Sequence, residues 1–385
     1  MIYLDYAAAT PLSDSARKAM EPYFAEQFFN PSAAYLPAVE LRHEYQAAKD
    51  KLAHIIGAKG ADLVITGGAT ESINLAFGAV EHGAEILISG VEHDSVIEPA
   101  QRKGDCQIIK VDKTGRILLD DFKKKLSDKT QFVSVCLACS ELGMIQPIAE
   151  IGMLVKAERQ RRLRAGDHTP IYFHCDASQG LGLLEVKVSR LNVDLLTLNA
   201  GKIYGPKGVG ALYIGHQVKT LKPLIVGGGQ ELGLRSGTEN VVGLMGFAQA
   251  AVDAQEHIIK NRKKYQKLTQ ILREELGKNS QPIFLGNKKH QLANFCPLTY
   301  PGLDAERLIF LLEQQQVYVS SGTACSANSR TKSKTLQAVG LTDEEIAGSL
   351  RLTLGQDNDE QNIRKAAKII NQTVAAELQR LHDNL

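Results

Sequence analysis

The chain has 385 residues, 44% hydrophobic, 23% charged and 6% aromatic with no Trp, an ordinary globular composition with length enough for a sizeable core and two lobes. A formal net charge of +2 gives no electrostatic footprint for a nucleic-acid or membrane partner, and the short basic clusters at Lys123–Lys125 and Arg159–Arg164 read as solvated helix faces. No stretch reaches the ~18 consecutive apolar residues of a membrane span, and the opening MIYLDYAAATPL lacks the basic n-region and apolar run of a secretory signal, so the expectation is a cytoplasmic protein.

In chain order, the first two thirds alternate short apolar runs with longer amphipathic ones. Strands are expected at 62–66, 85–89, 106–111, 132–138, 170–177, 195–200 and 210–215. Between them lie helical patterns at Ser72–Val80 and Ile148–Arg164, with apolar residues at helical spacing. Such alternation predicts an α/β sheet covered on both faces. From about 243 the texture changes to one long helix or two joined ones, running to GK near 278. Short strand candidates (QLANFCPLTY, VYVSSG) then mix with helices (DAERLIFLLEQQ, DEEIAGSL, DNDEQNIRKAAKIINQTVAAELQRL). The predicted organisation is a large α/β domain over 15–255 and a smaller α+β domain from 1–14 and 256–385. No repeat or low-complexity segment interrupts it.

The six cysteines, Cys106, Cys136, Cys139, Cys175, Cys296 and Cys325, are scattered, unlike a small disulfide scaffold. Cys136 and Cys139 form a C-x-x-C, but within the apolar run FVSVCLAC. Alternation along a strand sends positions i and i+3 to opposite faces, which argues against a metal or redox pair.

Five pieces carry candidate chemistry. In LVITGGATESINLA a strand runs into Gly67-Gly68 and Thr70 opens a helix; such a helix start is an anion site, or a plain strand–turn–helix with Thr70 as its cap. His93 follows a strand in SGVEHDSV, as a packed residue or as a flat imidazole that stacks on a ring and moves protons. In YFHCDASQG, Asp176 stands at a strand's carboxyl end with Gln179 three residues on, where open α/β sheets bind ligands; the plain alternative is a cap. Against pyridoxal phosphate, such an Asp keeps the pyridine nitrogen protonated and Gln179 donates to the phenolic oxygen. Lys202 lies between an apolar strand and the Gly/Pro-rich turn in LLTLNAGKIYGPKGVG, a setting that lowers an amine's pKa and makes it a nucleophile; Lys207, in the turn, reads as solvated or structural. Cys325 sits in the small polar stretch SSGTACSANS, which suits a loop more than a core position and lets a thiolate reach a substrate and leave again.

Together, and in this order, these pieces resemble the cysteine desulfurases, the NifS- and IscS-like branch of the class-V aminotransferases that serves nitrogenase and general iron–sulfur cluster assembly. The resemblance runs from LDYAAATP (4–11) through NPSAAY (30–35) and LRSGTENV (234–241) to SLRLTLG (349–355), nearly the whole chain. It implies the aspartate-aminotransferase-like fold type I of pyridoxal-phosphate enzymes, a homodimer with the site near the subunit interface, and conversion of L-cysteine to L-alanine. Lys202 would carry pyridoxal 5'-phosphate as a Schiff base and then shuttle protons, with His93 also catalytic. Cys325 would take the sulfur as a persulfide and pass it to an acceptor such as an iron–sulfur scaffold protein. The cofactor contacts implied are Ala69, Thr70, His93, Ser140, Asp176, Gln179, Asn199, Gly201 and Lys202, with Thr238 reaching the partner subunit's phosphate. Arg351 matches the binder of the substrate carboxylate, a bidentate task suited to guanidinium, and Asn30 is placed beside the substrate.

The chain departs from the family pattern at several positions. Gly201 stands where the family has His, Asn199 where it has Ser, Cys139-Ser140 where it has Asn-Asn, Tyr35 where it has His and Gln356 where it has Arg. Gly201 removes a side-chain donor and Ser140 shortens another. Two further readings stay open: a related pyridoxal-phosphate lyase acting on selenocysteine or another sulfur amino acid, and a weakly active paralogue that serves as a binding partner.

Overall fold

The structure is a computed structural model that describes residues 1–321 and 332–383. Strand β1 (Ile2–Tyr3) opens the chain. Then come β2 (Leu63–Thr66), β3 (Glu85–Ser89), β4 (Asp105–Ile109), β5 (Thr130–Cys136), β6 (Tyr172–Asp176), β7 (Leu195–Asn199) and β8 (Gly210–Ile214). These seven form one sheet in the order β2-β8-β7-β6-β5-β3-β4. Pairing is parallel from β7 to β4, and only β8 runs antiparallel to its neighbours. Each strand lies close to a range read from the apolar runs. The central strands are buried along nearly their whole length, as continuous apolar strands covered on both faces must be.

Local signals set the flanking helices. Leu36–Ile56 carries Pro37 in its first turn and stops at Gly57, whose φ of 72° is left-handed, a conformation that costs glycine no Cβ clash. Val241–Asn279 is a single helix, capped by the Asn240 side chain on the Gly243 N–H, and about 58 Å long at 1.5 Å per residue. Its first half packs Leu244, Phe247 and Ala251 into the core on one face of the large sheet. Its second half gives Leu268, Leu272 and Leu276 to a separate core.

That second core backs a four-stranded antiparallel sheet. The remaining strands are β9 (Ile283–Phe284), β10 (Phe295–Thr299), β11 (Val317–Tyr318), β12 (Ser320–Ser321) and β13 (Ser349–Thr353). The order is β12-β13-β10-β9, while β11 pairs in parallel with β1. The run VYVSSG is thus two short strands in different sheets. Ile2 and Leu4 belong to this second core, so the first residues of the chain are built into a layer formed mostly by its last third. Among the described residues no helix is long and apolar enough to cross a membrane.

The alternation argument for the C-x-x-C pair fails on one point. Strand β5 ends at Cys136, so Cys139 is not on the strand, and both thiols join one apolar cluster with Leu142 and Met144. Burial pushes both up, Cys139 to about 12.

Two buried carboxyls fasten the loops that leave the sheet. Glu92, just past β3, accepts the Cys136 N–H at 2.8 Å and the Ser89 hydroxyl on Oε1. Its Oε2 is buried with no partner among the described residues. Burial raises its pKa to about 8, so the group is held as a neutral acid. Glu231 is ionically paired instead. Its oxygens accept from the Tyr45 hydroxyl at 2.6 Å, the Lys49 ammonium at 2.9 Å and the Ile65 N–H at 2.8 Å. Both Glu231 and Leu232 have positive φ, 48° and 62°, a strained pair of residues that this buried ion pair holds in place.

Glu231→Ala is expected to cost about 3–5 kcal/mol, because it strands the Lys49 charge in the core; a urea-unfolding loss below about 1 kcal/mol would refute the anchor. Glu92 carries a pH signature. Its folded value of about 8 lies above the ordinary 4.5, so its stabilising contribution is complete below pH 4.5 and is lost as pH rises towards 8. Relative to Glu92→Gln, which cannot ionise, the wild type should lose stability over that window at roughly 1.4 kcal/mol per pH unit. Parallel stability–pH curves for the two proteins would show that Glu92 is not neutral in the fold.

Candidate active site

Strands β2, β3, β5, β6 and β7 end on one edge of the large sheet, the edge where open α/β sheets hold ligands. The segments leaving those ends line two adjoining cavities that share Ala8, Ala69, Thr70, Asn199 and Lys202. One, of about 280 Å3, also takes in His93, Cys136, Ser140, Asp176, Gln179 and Arg351. The other, of about 680 Å3, takes in Gly67, Gly68, Gly201 and Lys207. Most site residues expected from the sequence therefore converge on one place.

Lys202 stands where the two cavities meet. It ends the tight turn Ala200–Lys202 after β7, capped by the Asn199 side chain on the Gly201 N–H at 3.1 Å. Its ammonium donates to the Ala7 and Ala8 carbonyls at 2.8 and 2.5 Å. The next residue but one, Tyr204, has a φ of 66°, uncommon for a bulky side chain. Bonds hold it from both sides: its N–H donates to Thr10 Oγ1 at 2.8 Å, and its hydroxyl accepts the Gln356 N–H at 2.7 Å.

Asp176 ends β6. Its Oδ1 accepts the Ser178 N–H at 2.9 Å and the Ser178 hydroxyl at 2.6 Å. These are the bonds described for the carboxylate, and they leave Oδ2 for a ligand in the cavity. Gln179 is fixed by donation to the Ala7 carbonyl at 2.9 Å. Two residues before Asp176, on the same strand face, His174 is wholly buried between Ser134 Oγ at 2.8 Å and Thr197 Oγ1 at 2.9 Å. Burial lowers its pKa to about 3, so it is a neutral, hydrogen-bonded support. Alternation in FHCD could have marked it from the sequence. His93 caps the helix Asp94–Lys103: its Nδ1 accepts the Ser95 N–H at 3.0 Å, which places the ring proton of the neutral imidazole on Nε2.

The larger cavity is an anion cradle. Helix Ala69–Ala76 starts behind Gly68, whose φ is 144° and beside which a Cβ would meet nothing within 4 Å. A side chain there would be strained and would fill the cradle. The first N–H groups of the helix and the Thr70 hydroxyl are donors of the kind phosphate takes. At the far end of the smaller cavity, Arg351 is 5% exposed. It pairs with Asp5 at 2.7 Å and donates to the Ser140 carbonyl at 3.1 Å, while its Nε is buried with no partner among the described residues. That orphaned donor is suited to a carboxylate. Beside it, burial raises Glu141 to about 6, against bonds from Ser333 and Thr335.

These features fit pyridoxal phosphate: Lys202 for its aldehyde, Asp176 for its ring nitrogen, Gln179 for its phenolic oxygen, His93 for its ring, and Ala69, Thr70, Asn199 and Gly201 around its phosphate. Asp5, Ala7, Ala8, His174 and Glu92 were missed by the sequence reading.

Two expected residues do not join the cavities of their own chain. Asn30 is exposed, uses Oδ1 to accept the Ser32 N–H at 2.9 Å, and lines neither cavity of its own chain. Thr238 is exposed on the loop that Glu231 fastens and lines neither cavity. Cys325 lies outside the described residues. Those that flank it are at the site: Ser320 pairs in register with Arg351, and Ser333 donates to Glu141.

Comparison with known proteins follows the same lines. The class-V aminotransferase family matches residues 2–365. Cysteine desulfurase IscS 1 of Archaeoglobus fulgidus is 35% identical over 379 residues, which cover 96% of this chain and 96% of that protein. The structure of a NifS-like protein from Rickettsia africae superposes with a TM-score of 0.87 at 27% identity, covering 97% of this chain and 99% of that one. The structure of SspA in complex with cysteine gives a TM-score of 0.77 at 29% identity, over 92% and 99% of the two chains. The fold, the lysine-centred cavity and these likenesses lead to one conclusion: the chain belongs to the class-V aminotransferase family of pyridoxal-phosphate enzymes, in the branch of the IscS- and NifS-like cysteine desulfurases.

Proposed function

We propose that the protein is a cysteine desulfurase that converts L-cysteine to L-alanine and delivers the sulfur as a persulfide on Cys325. The observation that carries this reading is that Lys202, Asp176 and Arg351 line a single cavity. An amine, a carboxylate and a buried guanidinium with an open donor suit an α-amino acid substrate. Relatives named for cysteine desulfurization, and a related structure in complex with cysteine, agree with it.

Pyridoxal phosphate, when bound, supplies an electron sink that stabilises negative charge at the substrate Cα. Asp176, held by the Ser178 N–H and hydroxyl, would keep the ring nitrogen protonated. Arg351 takes the substrate carboxylate and, with Ser140, fixes its orientation. Lys202, released from its covalent role, moves the proton at Cα. His93, its Nδ1 taken by the Ser95 N–H, would lie against the ring. The Cys325 thiolate would attack the substrate sulfur: the S–S bond forms as the Cβ–S bond breaks, and one proton delivered to Cβ and one returned to Cα complete alanine. The persulfide sulfur then goes to an acceptor thiol, for which an iron–sulfur scaffold protein is the reading we favour.

We also propose a homodimer. Thr238 lines no cavity of its own chain, and its loop carries the exposed side chains of Leu224, Val226 and Leu232, an apolar face that a second copy would cover. The division into a large domain over 15–255 and a smaller one from 1–14 and 256–385 is kept as a proposal, supported by the two separate cores. The five described cysteines are all free thiols, which supports a cytoplasmic, reducing compartment.

Two experiments test this reading. Lys202→Ala should abolish both turnover and the borohydride-reducible cofactor link; a link retained at its normal level would exclude Lys202 as its site. Cys325→Ser should keep the cofactor yet make almost no alanine or sulfide from L-cysteine, while mass spectrometry of the wild type after cysteine treatment should find an added sulfur on the Cys325 peptide. Near-normal desulfuration by the Ser variant would favour a lyase acting on selenocysteine or another sulfur amino acid. Failure of the wild type to bind cofactor or turn over would favour a binding-partner paralogue.

A further inference from the structure

The larger cavity poses a charge problem. Its described lining includes one carboxylate, Glu71, and two ammonium groups, Lys202 and Lys207. Glu71 is already balanced: Arg235 pairs with it at 3.0 Å and the Gly67 N–H donates to it at 2.8 Å. Lys202 is committed to the Ala7 and Ala8 carbonyls and to the covalent link. A phosphate at the start of helix Ala69–Ala76 would bring nearly two negative charges. Helix N–H groups and a hydroxyl offset only part of that charge.

Gly201 leaves space in this wall. A Cβ built on it would meet nothing closer than 3.7 Å, and two of its nearest atoms are Cγ and Cα of Lys207. The Lys207 stem therefore runs beside the side-chain space that Gly201 leaves open. Its ammonium donates at 3.2 Å to the carbonyl of Thr10, whose own N–H is bonded to the Gly201 carbonyl at 3.2 Å. The Thr10 carbonyl is a neutral acceptor, the Lys207 donor sits on a flexible four-carbon side chain, and an anion in the cavity offers a stronger acceptor.

We infer that Lys207 is the cation that binds the phosphate of the cofactor in this chain, its stem taking the side-chain space that Gly201 leaves open. This rests on the pyridoxal-phosphate assignment above. It also replaces the reading of Lys207 as a solvated or structural residue.

The test compares a ligand with and without phosphate. Cofactor-free protein is titrated with pyridoxal phosphate and, separately, with pyridoxal, and binding is followed by the visible absorbance band. Lys207→Met should weaken pyridoxal phosphate at least tenfold and leave pyridoxal unchanged. Lys207→Arg should recover most of the loss, and so should Gly201→His placed in the Lys207→Met protein. Equal losses for both ligands would mean that Lys207 only shapes its turn, and an unchanged pyridoxal phosphate affinity would remove it from the site; either overturns the inference. If Lys207→Met does not fold by circular dichroism, Lys207→Gln carries the same comparison. Failure of the wild type to bind pyridoxal phosphate at all would instead strike the cofactor assignment.

Discussion

The structure depends on one constraint: parallel strands of a single sheet must all end on the same edge. Their last residues and the loops beyond them are then forced together, however far apart they lie in the chain. Gly67-Gly68, Glu92-His93, Cys136, Asp176 and Asn199–Lys202 meet for that reason. The edge is also where backbone groups run out of ladder partners, and buried groups without partners cost stability. Glu92 on the Cys136 N–H and Asp176 on the Ser178 N–H answer that need. The two cavities open at the same strand ends.

The first ten residues join the smaller core to the two cavities. Ile2 and Leu4 are packed in the core of the smaller sheet. Asp5 pairs with Arg351, the Ala7 and Ala8 carbonyls take the Lys202 ammonium, and Thr10 bonds to Gly201 and Tyr204. One short segment thus touches Arg351, Lys202 and Gly201 in succession. Its carbonyls hold the Lys202 amine at the junction of the two cavities, and its carboxylate balances the buried guanidinium.

The electrostatics sort the titratable groups into two sets. Burial keeps Glu92 and His174 neutral, and raises Glu141 to about 6. Asp176, Lys202 and Arg351 line the smaller cavity, and Asp5 meets the Arg351 guanidinium at 2.7 Å. Neutral groups at the buried Glu92 and His174 positions avoid stacking like charges in a low-dielectric interior.

The sequence by itself determined the strand ranges, the long helix and the motifs around Lys202, Asp176 and Thr70. Those are local signals: an apolar run, a helical period, a glycine pair before a helix. It also marked Cys325 by its small polar neighbours, although that residue lies outside the described part of the fold. Tertiary structure alone decided what spans long separations. The pairing of Asp5 with Arg351 joins residues 346 positions apart, and no periodicity announces it. The same holds for the Ala7 and Ala8 carbonyls on Lys202, for the shared cluster of Cys136 and Cys139, and for the room beside Gly201 that the Lys207 stem borders. Bonds across such separations form only where two elements are brought face to face, and the packing of the sheets, not local propensity, fixes that.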